Sequence, residues 1–390
     1  MGRRLTALPE IVQPKYERAQ RSARRAGGRL GVRLAVGAVA LFFVWELYCA
    51  AAYVQMRRTA PSFDVGNFRR NLQQAASGDP TREVRFAVLG DWHTHGGLPE
   101  TMERLAEQKP DFIVFLGDMV RDNRPEFHQF LQSEFSNVSL PCPALWAVGN
   151  HDIGKRYPLE RWEKTYGPSQ CYFERSGNLF IIARLWGSPD HAADGREFLR
   201  RTLAEHAASA RRIFVFNHIP PKLGFGLKFD GMAGQEEVLR LMDEYEVDYF
   251  ISGHYHGYAR AQRGKTTYLA SGGGGGRLRG DHLGFHHAVT FTVRQDAVQE
   301  RICALPSHFS LERIHARVIT GVIHWTTVHP WKGMAVNVAA LALALGTITF
   351  RGTRRPNARK ARSASREEDT PQLLIRFTKE QATGSPGTQE

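Results

Sequence analysis

Aspartate, asparagine and histidine recur in this chain at the ends of short apolar runs. In order, the five groups are Gly90-Asp91-Trp92-His93, Gly117-Asp118-Met119-Val120, Gly149-Asn150-His151-Asp152, Asn217-His218 and Gly253-His254-Tyr255-His256. A single Gly-Asp after a strand is ordinarily a turn, because glycine bends tightly and aspartate caps the bend. The whole ordered series calls for another explanation. Its side chains offer oxygen and nitrogen donors and no thiolate, which suits a hard or borderline cation rather than a cysteine-rich structural zinc site. His254 and His256, spaced by one residue, point to the same side of an extended strand end. Aspartates at the carboxyl ends of neighbouring strands converge on one crevice, where sheet-based enzymes place their sites. A carboxylate shared by two cations holds them roughly 3.5–4 Å apart, the separation used in two-metal hydrolysis.

Taken together over residues 84–293, these motifs resemble the calcineurin-like metallophosphoesterases, the dinuclear superfamily that includes purple acid phosphatases and cyclic-nucleotide phosphodiesterases. The resemblance implies one divalent ion on Asp91, His93 and His256, and a second on Asn150, His218 and His254, with Asp118 bridging. It implies a metal-dependent phosphoester hydrolase in which a metal-bound hydroxide attacks phosphorus. His151 would protonate the leaving oxygen and Asp152 would orient His151. One position departs from part of the family. Purple acid phosphatases carry a tyrosine three residues after the second motif's aspartate, and here Arg121 stands there. The tyrosinate ligand of a mixed-valence iron site is therefore missing, which leaves Mn, Zn, Fe(II) or Ni.

Two divalent ions would bring about four positive charges, of which Asp91 and Asp118 return two, so the site stays net positive and suits an anionic phosphate ester. A non-catalytic binding protein on the same fold would be expected to have lost ligands, and none is missing. A metal-dependent nuclease would need a basic groove within the catalytic region, whereas the net charge of +13 is concentrated in arms outside it, so no nucleic acid is expected as partner. Among phosphoesterases, a lipid-linked or nucleotide pyrophosphatase or phosphodiesterase is the alternative to a monoesterase.

The elements that must position these motifs are legible as apolar runs and amphipathic stretches. Strands are expected at 84–89, 112–116, 144–148, 179–185, 213–216, 249–252, 267–270 and 288–293, and helices at 68–76, 99–108, 125–135, 196–208 and 236–245. Strands alternating with helices, then further strands, predict two packed sheets flanked by helices. The resemblance implies the same α/β class, a four-layer α/β/β/α sandwich. Ser271 is followed by the glycines 272–276, a backbone that either forms a flexible loop or passes close to the site without side chains. Asp281, His282, His286 and His287 follow, and His95 lies just past the first motif.

The 390 residues exceed one catalytic unit. Residues 1–33 form a basic arm and 34–54 an apolar run long enough to cross a bilayer, interrupted only by Glu46. A cleavable signal peptide is the other reading of this run, and the long leading arm favours a retained anchor. A linker at 55–82, the catalytic domain at 83–298 and a juxtamembrane helical segment at 299–333 follow. A second apolar run, 334–350, is the candidate C-terminal span, and 351–390 is a basic tail expected to be disordered. Basic residues on the outer flank of each run predict both termini on the cytoplasmic side, facing anionic lipids. The catalytic domain would then lie outside the cytoplasm, at a membrane that the Arg- and Ala-rich composition suggests is bacterial. Cys142 and Cys171 would be there together and free to pair or to stay as thiols.

Overall fold

The computed structural model describes residues 13–58, 65, 67–79, 81–223, 232–279, 285–307 and 310–352. The tail beyond 352, most of the linker's 59–66, and Asp281 and His282 lie outside them. The chain divides into two compact units. One comprises residues 1–42 with 335–390, of which the described part is helical, and the other is Phe43–Met334.

The larger unit holds two sheets. Strands β1 (Val84–Leu89), β2 (Phe112–Phe115) and β3 (Ala144–Trp146) run parallel, and β10 (His287–Val293) and β11 (Val298–Ala304) extend that sheet antiparallel in the order β11-β10-β1-β2-β3. The second sheet runs β4-β5-β6-β7-β9-β8, from β4 (Cys171–Arg175), β5 (Asn178–Ile182), β6 (Arg212–Asn217), β7 (Tyr249–Ser252), β8 (Tyr258–Arg263) and β9 (Thr266–Ser271). In it β5, β6, β7 and β9 are mutually parallel.

Period-two alternation decides how the sheets stack. Val84, Phe86 and Val88 of β1 face the second sheet and meet Phe180, Phe214, Phe216 and Ile251 in the central core. The Phe86 ring stacks on Phe291 at 4.5 Å and on Phe112 at 5.3 Å, and meets Phe214 edge-on at 5.3 Å. Such ring pairs are worth about 0.5–1.5 kcal/mol each beyond their buried area. Ala87 and Leu89 turn the other way, onto α3 (Leu98–Ala106), α4 (Pro125–Ser136) and α5 (Leu159–Tyr166). The outer face of the second sheet is covered by α6 (Pro189–His206) and α7 (Gln235–Glu244). The layers are therefore helix, sheet, sheet, helix, as expected. A short α2 (Phe68–Ala76) precedes the sandwich, with Asn67 capping it through a 3.1 Å bond from Arg70 N.

Strands β4 and β8 and helix α5 lie outside the expected elements, α6 begins at Pro189 rather than at 196, and two segment boundaries differ from the expectation. Residues 298–304 are the edge strand β11, paired with β10 from His287↔Ala304 to Val293↔Val298, so the sandwich runs on past 298. Its alternating exposed residues and charges conceal the strand. Helical structure resumes only with α8 (Leu311–Arg317), a π-helical stretch Val318–Ile323 and α9 (His324–Val328). The expected 34–54 run lies within one 46-residue helix, α1 (Gln13–Arg58), whose apolar portion is Leu30–Arg58. The second apolar run lies within α10 (Pro330–Gly352). Cys49, Cys142, Cys171 and Cys303 are all free thiols.

Candidate metal centre

Each motif begins where a parallel strand ends, so β1, β2, β3, β6 and β7 deliver them to one edge of the sandwich. The chain must turn sharply there. Eight described non-glycine residues have left-handed φ, and Asp91, His93, Thr94, Asp118 and His254 are among them. Such conformations cost on the order of 1–3 kcal/mol each and persist only where surrounding contacts enforce them. Here the contacts are backbone bonds between motifs, including Asp91 N to Gly117 O at 2.9 Å and His93 N to Asp118 O at 3.1 Å.

The predicted ligands converge. Asp91, His93 and His256 form one group of donors, and Asp118, His218 and His254 a second. A third, His93, Asp118 and His151, overlaps both, and in each group the donor atoms lie within 4.8 Å of one another. Asp118 Oδ2 stands 3.2 Å from His218 Nε2, 3.8 Å from His93 Nε2 and 3.9 Å from His151 Nε2. His256 Nε2 is 3.2 Å from Asp91 Oδ1, and Asn150 Oδ1 is 3.0 Å from His218 Nε2.

The ring orientations follow from bonds made on the far side. His218 Nδ1 donates to Leu116 O at 2.8 Å and His256 Nδ1 to Arg277 O at 3.0 Å, which leaves each Nε2 facing the cluster. A backbone carbonyl on the far nitrogen is the usual device for fixing a metal-binding imidazole. Asp91 and Asp118 are fully buried, and Asp91 Oδ1 and His93 Nε2 make no hydrogen bond. Buried polar atoms without partners are costly, and here they sit where a cation would satisfy them. The donor set thus fits two divalent ions.

The electrostatics agree with that fit. Burial alone would push the Asp118 carboxyl up, but His218 beside it, with His93 and His151, holds it well below the usual carboxylate range. Burial would likewise lower His218, yet Asp118 lifts it to about 9. Burial and the neighbouring His218 bring His254 down to about 4, so it is neutral at pH 7.

Backbone space around the cluster is tight. A Cβ at Gly149 would lie 2.1 Å from Asp118 N. One at Gly272 would lie 2.5 Å from Asp91 Oδ2 and 2.3 Å from Tyr255 O. Gly275 N and Gly276 N both donate to Asp91 O, at 3.1 and 2.8 Å. The glycine run therefore passes directly behind the first motif, which is why side chains are absent from it. His286 accompanies it: its ring lies 4.9 Å from that of His95.

Asp152 does something other than expected. Its Oδ2 accepts from Gly149 N at 2.8 Å and Asp118 N at 2.9 Å, and its Oδ1 from Val120 N at 3.2 Å. It ties the second and third motifs together through their backbones. His151 is oriented instead by Arg121, whose carbonyl accepts from His151 Nδ1 at 2.8 Å. The resemblance implies that Asp152 orients His151, but the turn at Gly149 carries Asp152 inward and His151 outward. His128 supports this turn from behind, with Nε2 donating to Asp152 O at 2.8 Å and Nδ1 lying 3.0 Å from Tyr166 Oη. No motif marked His128, which sits on the buried face of α4. Replacing Asp152 by alanine would leave three buried N–H groups without an acceptor, at about 1–3 kcal/mol each. The Asp152→Ala protein should therefore melt at distinctly lower temperature, while His151→Ala, at an exposed position, should not. Thermal denaturation of the two in parallel checks this.

The calcineurin-like phosphoesterase family matches residues 84–258. Purple acid phosphatase 7 of Arabidopsis thaliana is 26% identical over 243 residues, covering 50% of this chain and 72% of that protein. Purple acid phosphatase 15 of the same plant is 22% identical over 251 residues, of which the match spans about half its length, 47%, and 52% of this chain. A dimetal phosphatase from Danio rerio superposes with a TM-score of 0.46 at 12% identity, over 58% of this chain and 100% of its own. The strand-end motifs, their convergence on one donor cluster and the family match over the same residues identify residues 84–258 as a calcineurin-like phosphoesterase domain, that of a metal-dependent phosphoester hydrolase.

Proposed function

We propose that the protein is a membrane-anchored phosphoesterase whose two-ion centre is held by Asp91, His93 and His256 on one side and by Asn150, His218 and His254 on the other, with Asp118 between them. The observation that carries this reading is the position of Asp118, whose carboxylate is common to two of the three donor groups. Two divalent ions bound there would neutralise phosphoryl charge and lower the pKa of a water molecule. The remaining work falls to the protein. Asp91 and Asp118 hold charge at fixed, buried positions. His151 has its Nδ1 proton committed to Arg121 O, so Nε2 is the nitrogen that can give a proton to a departing oxygen. Its side chain is 44% exposed, the placement needed to meet a leaving group arriving from solvent.

The experiment is a screen of the purified full chain on monoester, diester and pyrophosphate substrates, with Mn, Zn, Fe(II) and Ni supplied in turn. Turnover that vanishes with chelator and returns with one of these ions is the expected result. Ion-independent turnover, or tight phosphate binding without turnover, would favour the non-catalytic reading. A pyrophosphatase or phosphodiesterase specificity would use the same residues.

Anchoring rests on α1. Its apolar portion is 29 residues long and would extend about 43 Å, against about 30 Å of hydrocarbon, and an 18-residue stretch within it is almost wholly unburied. With basic residues flanking this segment and following α10, both termini are assigned to the cytoplasm and the sandwich to the other side, as at a bacterial inner membrane. Fusions of a reporter active only outside the cytoplasm should be active at Gly78 and inactive at Glu390. Activity at both would mean that α10 does not span, and silence at Gly78 would put the sandwich in the cytoplasm.

A further inference from the structure

Within the unit Phe43–Met334, the last turns of α1 do not simply lead out of a membrane. Cys49, Ala52 and Met56 pack on Ala316, Val318, Ile319 and Ile323, with Phe130 of α4 completing the cluster. Tyr48 Oη lies 2.6 Å from His315 Nδ1, and Arg57 Nη1 donates to Gln129 Oε1 at 3.3 Å. Glu46 is half-buried three residues before Cys49, on the helix face that makes these contacts. The C-terminal turns of α1 are thus bound to α8 and the π-helical stretch.

The same segment also packs against two stretches that follow site motifs in the chain, at Gly96 and at Phe127. Gly96, three residues beyond His93, lies so close that a Cβ there would come within 2.8 Å of Ala316 Cβ and 2.9 Å of Glu312 O. The His324 ring lies 5.1 Å from that of Phe127, at the start of the helix that follows the Arg121–Arg124 loop. Arg121 of that loop holds His151. The segment 311–331 also exposes large apolar side chains next to these contacts: Leu311 is 82% exposed, Trp325 41% and Trp331 77%. Exposed apolar groups of this size concentrated on one segment mark an interaction surface, and tryptophan favours the headgroup level of a bilayer. Arg121 and Arg277, both exposed, are each joined to a site histidine through the backbone carbonyl.

We infer that the occupant of this surface is the bilayer itself, and that the substrate is a phosphate ester or anhydride carrying a long apolar chain. The chain remains among Leu311, Trp325 and Trp331 while the phosphate reaches the metal centre. This rests on the phosphoesterase reading above and narrows its substrate. The reaction needs no further reactant. Water adds its oxygen to phosphorus as the P–O bond to the leaving group breaks, that oxygen departs with a proton from His151, and the proton the water releases passes through solvent to restore His151.

The test uses the full chain in proteoliposomes and matched substrates that differ only in chain length, as alkyl phosphates and alkyl pyrophosphates of short and long chain. The long-chain member of at least one pair should have a kcat/KM about tenfold or more above its short-chain partner. In the double variant Leu311→Asp, Trp331→Asp this ratio should fall towards one, a readout that loss of folded protein does not move. A photoactivatable long-chain alkyl phosphate should label residues 311–331 as well as α1, with or without metal. A ratio near one in the unmodified protein, a ratio unchanged by the variant, or label confined to α1 overturns the inference while leaving a phosphoesterase. Failure to hydrolyse any member, long or short, overturns the phosphoesterase reading and this inference with it.

Discussion

Asp118→Asn should give a folded protein that has lost both activity and metal. Asparagine is isosteric and keeps an oxygen able to accept from His151 N, a 2.7 Å bond that helps shape the third motif's turn. What it loses is the negative charge shared by two donor groups. The charge stabilisation supplied by metal at such centres is worth several kcal/mol, so the loss in kcat/KM should be on the order of 10³-fold or more. Bound metal should fall below two ions per chain by elemental analysis. The metal-free protein provides an independent readout. Because Asp118 is what lifts His218 to about 9, the His218 resonance should titrate at clearly lower pH in the variant. The sign is that of a cation losing its anionic neighbour. In the unsubstituted metal-free protein the His218–Asp118 pair adds stability at pH values below the ordinary histidine range, and this contribution disappears as pH rises through about 9. Full metal occupancy with normal turnover would remove Asp118 from the shared position.

His151→Ala should behave differently. With Nδ1 fixed on Arg121 O, His151 contributes one nitrogen to the site, and the loss of a general acid costs on the order of 10²–10⁴-fold. The loss should be largest for alkyl esters, whose leaving oxygen needs a proton, and much smaller for nitrophenyl esters, whose leaving group does not. Metal content should change less than in Asp118→Asn, because two donor groups remain without His151. A uniform loss across leaving groups would assign His151 to ligand binding or substrate orientation. Paired kinetics on an alkyl and a nitrophenyl ester decide between these.

The fold class and the donor set were legible because they depend on local pattern. Alternation along β1 separates Phe86 from Ala87 and sends one to the inter-sheet core and the other to the helices, and this requires only the period of a strand. The order of the motifs is likewise a property of the chain, and the structure brings every predicted donor to one edge. Where elements were missed, the local pattern was weak. Strand β11 alternates exposed charges with modest apolar groups, and only pairing with β10 makes it a strand.

Three things belonged to the tertiary structure. Asp152 adjoins His151 in sequence yet spends its carboxylate on the backbones of Gly149, Asp118 and Val120, because the turn sends successive side chains in opposite directions. Arg121 serves through a carbonyl, a group that every residue carries and that no sequence pattern marks. The apolar segment 311–331 reads as a membrane-proximal helix from its composition alone. Its place against the His93–Gly97 loop and the end of α1 is set by contacts between residues more than two hundred positions apart. Composition and spacing determine which side chains can do chemistry and which segments are apolar, since both are local. Which backbone groups aim those side chains, and what surface borders them, is decided only when distant segments pack.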